Sequence, residues 1–84
     1  MRRRVPPIHF DGHRLRALRQ QRGLRVEDVA AISGITARHI WRLEAGNRSR
    51  VAAVTLARIA LALDTSVDYL LGLTDDPNPP NRAG

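Results

Sequence analysis

The sequence predicts an all-α fold of five short helices, and three observations carry that expectation. A chain of 84 residues has room for one domain with a modest core, for which helices joined by tight turns are the economical solution. Apolar residues recur at helical spacing in successive segments of residues 12–73, the period of a helix with one face turned inward. Glycines at 23, 34, 46 and 72 and hydroxyl residues at 36 and 66 punctuate those segments where helices stop and start.

Residues 1–11 are expected to be a basic arm, because the opening MRRRVPP combines like charges and prolines that do not make a helix. The first helix runs from about Gly12 to Arg22. Leu15, Leu18, Arg19 and Arg22 share one face at i, i+3, i+4 and i+7, so an inward Arg19 must find a partner, since an unpaired buried charge is costly. The second helix, about Val26 to Ser33, carries Glu27 and Asp28 in its first turn, where the helix dipole favours negative charge. Arg25 stands at its N-cap and lacks the acceptor oxygen that Ser, Thr, Asp or Asn would offer.

Gly34 ends this helix in the left-handed conformation. Thr36 caps a third helix, about Ala37 to Ala45, in which Ile40 and Leu43 face inward. Ala37, Arg38, Trp41, Arg42 and Ala45 then form the opposite, basic stripe. Residues 47–51 are expected as a loop. A fourth helix, about Ala53 to Leu63, buries Leu56, Ile59, Ala60 and Leu63, and a short fifth lies between its cap Ser66 and Gly72. Residues 74–84 are expected to be a flexible tail, rich in turn formers.

Ala30, Gly34 and Ile40 define the centre of the chain. A small residue lets two helices approach, a glycine turns the chain, and a branched residue locks the second helix over the first, which is the helix-turn-helix pattern. From LRALRQQRGL through EDVAAISGITARHIWRLEAGNR to LALDTSVDYLLG, the chain resembles the Cro/C1-type (XRE-family) DNA-binding domain of phage repressors and small bacterial regulators. That resemblance implies a five-helix lambda-repressor-like fold and a sequence-specific, double-stranded DNA-binding transcriptional regulator acting as a repressor.

It further implies that the third helix enters the major groove, so that Ala37, Arg38, Trp41 and Arg42 face base edges. Arg25, the amide of Val26, Asn47, Arg48, Ser49 and Arg50 would then lie at phosphates. His39, between the two stripes, suits a phosphate or an inert boundary position equally. The resemblance also pairs Arg19 with Glu44 in an inward salt bridge, and implies a homodimer built through the last helices. There Val67, Leu70, Leu71 and Leu73 are more apolar than so short a helix needs. Three departures stand out: Val26 replaces a glutamine common in relatives, residues 47–53 lack the usual proline, and Asp64 holds a position that calls for a left-handed backbone.

Charge separates the two halves. Residues 1–50 hold twelve arginines against four carboxylates, a net of +8, whereas residues 51–84 hold two against four, a net of −2. One half is suited to polyanions, and arginine's planar fork fits phosphates and guanine edges. Arg2, Arg3 and Arg4 suit a minor groove, with a disordered basic start as the plainer alternative. With no cysteine, disulfides, thiolate nucleophiles and cysteine zinc sites are excluded. No Ser/His/Asp grouping, phosphate loop or paired carboxylate calls for an enzyme or a cofactor, and no metal site is expected at His9, Asp11 and His13, where no helix fixes His9 and no further ligand is near. A cytoplasmic protein is expected, with DNA and a second copy as partners, a toxin or anti-repressor as a candidate protein partner, and no membrane. A protein-interaction module on the same fold, such as an antitoxin or adaptor, is the competing reading.

Overall fold

The computed structural model describes residues 3–48 and 50–80, with the backbone course alone at 47 and 48. Five helices follow one another: α1 (Gly12–Gln21), α2 (Val26–Ser33), α3 (Ala37–Glu44), α4 (Ala53–Ala62) and α5 (Val67–Leu70). Two short strands, β1 (Phe10–Asp11) and β2 (Asn47–Arg48), pair antiparallel with Phe10 opposite Arg48 and Asp11 opposite Asn47.

The core is filled by one apolar stripe from each helix: Leu15 and Leu18 from α1, Val26 and Val29 from α2, Ile40 and Leu43 from α3, Leu56 and Ile59 from α4, and Leu70 from α5. The caps follow local chemistry. Thr36 accepts the amide of His39 at 3.2 Å and Ser66 that of Tyr69 at 2.9 Å, each satisfying an amide that the first helical turn leaves open. Gly34 closes α2 with φ 76°, and Asp64 follows α4 with φ 55°.

Three expectations of organisation are corrected. Phe10, assigned to the arm, is 1% exposed and belongs to the core, and Asp11 caps α1 by accepting the amides of His13 and Arg14 at 3.0 and 3.2 Å. The folded body therefore begins at Phe10, because a lone aromatic side chain gains more inside than a charged arm can offer. The segment read as a loop at 47–51 opens as β2, which uses the extended backbone of residues 10–11 to satisfy its own polar groups.

The C-terminal segment is pinned to the body over residues 74–77. Arg14 donates to Tyr69 O at 2.9 Å, Thr74 O at 2.5 Å and Asp75 Oδ1 at 2.6 Å, and its guanidinium lies 4.5 Å from the Tyr69 ring centroid. Thr65 Oγ1 donates to Pro77 O at 2.6 Å.

Candidate nucleic-acid interface

α3 is fixed from beneath at three points. Ile40 and Leu43 sink into the core. Glu44, also buried, accepts from Arg19 Nε at 2.6 Å through Oε2 and from Arg19 Nη2 at 3.0 Å through Oε1, while Arg19 Nη1 donates to Leu24 O at 2.9 Å. Such a two-pronged pair has one good geometry, so it sets the rotation of α3 about its own axis relative to α1. Hydrogen bonding to Glu44 holds the Arg19 pKa above the ordinary arginine value, outweighing the opposing effect of desolvation.

The third point is steric. At the start of α1, Gly12 lies so close to the end of α3 that a Cβ would meet the carbonyl oxygen of Leu43 and come within 2.5 Å of Gly46 O. Only glycine allows that approach.

With α3 so held, Arg38, His39, Trp41 and Arg42 all point to solvent and Ala37 is partly covered. Trp41 is 56% exposed, unusual for an indole with no role at a surface. The turn before α3 lies against a side chain of α4. A Cβ on Gly34 would stand 3.0 Å from Arg58 Nη1, whose guanidinium donates to Ser33 O at 3.1 Å and so covers the end of α2.

The start of α2 compensates for its missing cap. Asp28 Oδ2 accepts the backbone N–H of Arg25 at 2.8 Å, and the Arg25 guanidinium pairs loosely with the same carboxylate at 3.4 Å. The Asp28 pKa is lowered first by that backbone hydrogen bond and then by the Arg25 side chain, and the Arg25 pKa is raised chiefly by its hydrogen bond to Asp28. Val26 turns its side chain into the core and is 3% exposed, so its amide is the one group there that could serve a phosphate.

The expected phosphate-facing residues belong to three parts of the chain, Arg25 and Val26 at the α2 start, His39 on α3, and residues 47–50 after α3. Arg50 is exposed. The Asn47 and Arg48 side chains, Ser49 and Arg2 lie outside the described residues. Arg3 and Arg4 are exposed on the chain leading into β1.

Of the apolar residues assigned to a dimer interface, Leu73 is exposed and Val67 and Leu71 are half-buried, but Leu70 is 0% exposed. Leu70 is therefore corrected to a core residue, since α5 is too short to hold its place without sinking one large side chain. Besides Trp41 and Leu73, the exposed large apolar groups among the described residues are Val5 and Ile8 before α1, and Ile32, Val54 and Leu61 on the helices. Sequence reasoning also missed Arg14, Arg22 and Arg58, which bond the chain's own carbonyls. Those carbonyls lie 25 to 60 residues away, beyond any local pattern. Phe10 left a readable signal, an apolar residue directly before the good N-cap Asp11.

This arrangement, two helices at a glycine turn with the second presenting a basic outward face, is a helix-turn-helix. The chain belongs to the helix-turn-helix domain family, whose pattern matches residues 12–71. It is 41% identical over 66 residues to the uncharacterized HTH-type transcriptional regulator YobD of Bacillus subtilis, covering 79% of this chain and 58% of that protein. It is 38% identical over 60 residues to the HTH-type transcriptional repressor RghR of the same organism, covering 71% of this chain and 44% of that protein. Among solved structures it resembles the restriction-modification controller protein C.AhdI from Aeromonas hydrophila, with a TM-score of 0.62 and 34% identity over 70% of this chain and 88% of that one. The chain spans only about half the length of the two Bacillus relatives.

Proposed function

We propose that this protein is a sequence-specific DNA-binding transcriptional regulator, acting as a repressor, that inserts α3 into the major groove. The single observation that carries the reading is the division of α3 into a locked inner face, Ile40, Leu43 and Glu44, and an outward face of Arg38, Trp41 and Arg42. A rigid helix whose rotation is fixed can present guanidinium forks to guanine O6 and N7. Trp41 lies one turn from Ala37 and Arg38, placed to meet a thymine methyl or a sugar. Arg25, the Val26 amide, His39, Asn47, Arg48, Ser49 and Arg50 are the residues that would take phosphates. The repressor sense is supported by the kinship to RghR, and the DNA target by the regulators and the controller protein it resembles.

A second copy places two α3 helices about 34–36 Å apart on a pseudo-palindromic site, with Val67, Leu71 and Leu73 as contacts. No catalytic role is assigned, and the compartment is the cytoplasm, where the DNA lies. Among the described residues no helix is long and apolar enough to cross a membrane.

The test is selection of binding sites from random duplexes, followed by titration of the best site with the Arg38→Ala/Arg42→Ala variant. Each good bidentate contact contributes about 1–3 kcal/mol of discrimination, so the double variant should bind its selected site no better than random DNA. Undiminished discrimination would overturn the reading. The exposed Ile32, Val54 and Leu61 favour a second reading, a module that docks on another protein; in that case random-site selection enriches nothing.

A further inference from the structure

We propose that residues 3–7 are a second DNA-contacting element, delivered by the β1–β2 ladder, that lays Arg3 and Arg4 in the minor groove flanking the α3 footprint. This rests on the reading of α3 as the major-groove helix. The ladder is the observation behind it. Phe10 is anchored in the core and Asp11 caps α1, so the chain preceding them has a fixed point of exit. That point is paired strand to strand with Asn47–Arg48, the segment that follows the C-terminus of α3 after only Ala45 and Gly46. An arm leaving there starts at the edge of the groove that α3 occupies, beside the sugar-phosphate backbone, and the next groove across that backbone is the minor one.

The arm's chemistry matches the destination. Pro6 and Pro7 stiffen it toward an extended course, and the seven residues from Arg3 to His9 reach roughly 20 Å at about 3.1 Å each, enough to cross one backbone and enter a groove about 6 Å wide. Its charges are arginines, whose weakly hydrated guanidinium is the group drawn into narrow, electronegative minor grooves. Residues 3–9 are all exposed, so the arm is not spent on the protein's own core.

The absence of cysteine permits a direct test. Val5→Cys, at a position 76% exposed, takes a single iron-EDTA group that cleaves DNA sugars within its reach. On the selected duplex, cleavage is expected outside the α3 footprint with the 3′ offset between strands that marks attack from the minor groove. In parallel, Arg3→Ala/Arg4→Ala should flatten the slope of log affinity against log salt by about 1.8, two charges at about 0.9 each, while keeping the preferred site. Cleavage with the 5′ offset of the major groove, no localised cleavage, or an unchanged slope each overturns the proposal. Loss of site preference in the unsubstituted protein would instead sink the α3 reading, and the arm with it.

Discussion

Arg19 and Glu44 are the residues on which the orientation of α3 most directly depends. Their side chains are only 10% and 4% exposed, and a carboxylate or guanidinium left alone there would lose water without gaining a partner. Glu44→Ala is therefore expected to cost about 3–5 kcal/mol in urea unfolding, and Arg19→Ala a similar amount, with the double variant far from additive. Asp28 makes a different kind of contribution, one that follows pH. Its folded pKa lies below the ordinary carboxylate value of 3.8, so its stabilisation is fully present above that value and is lost as pH falls below it through the folded pKa. The protection factor of the Arg25 amide, which Asp28 accepts, should fall in that acid range, and Asp28→Asn should remove this pH dependence. An arginine on an apolar stripe announces its need for a carboxylate in the sequence alone. Arg14 announces nothing, because Tyr69, Thr74 and Asp75 are brought to it only by the packing of α5 against α1.

At the scale of elements, the start of α1 lies so close to the end of α3 that no side chain fits between them at Gly12. Gly12→Ala must push backbone away from backbone, and an overpacked site of this kind costs typically about 1–3 kcal/mol. Because the displaced carbonyls belong to Leu43 and Gly46, DNA affinity should fall along with thermal stability. Thr36→Ala, which removes only the cap of α3, should cost about 0.5–2 kcal/mol and leave the site preference in place. Helix positions were legible because glycines and hydroxyl caps mark them locally. The ladder was not, since two-residue strands have no periodicity to read, and their pairing joins residues far apart in sequence. Ile32 shows the limit of an apolar count: it sits in the right helix yet 61% exposed, on a face that packing alone selects.

For the whole molecule, the charge asymmetry overstates what is available to DNA. Of the twelve arginines in residues 1–50, Arg14, Arg19 and Arg22 bond to the protein itself, and Arg25 is shared with Asp28. About six phosphate contacts would give a slope of log affinity against log salt near −5, measurable by anisotropy titration across a salt series. A much shallower slope would favour the protein-docking reading.

The lone indole of the chain sits in water on α3 rather than among the packed side chains. Its emission should already be red-shifted in the native state, so melting the protein will scarcely move the spectrum. Whatever covers that helix face, by contrast, should quench or blue-shift it, giving the protein an intrinsic optical gauge of occupancy that ignores folding.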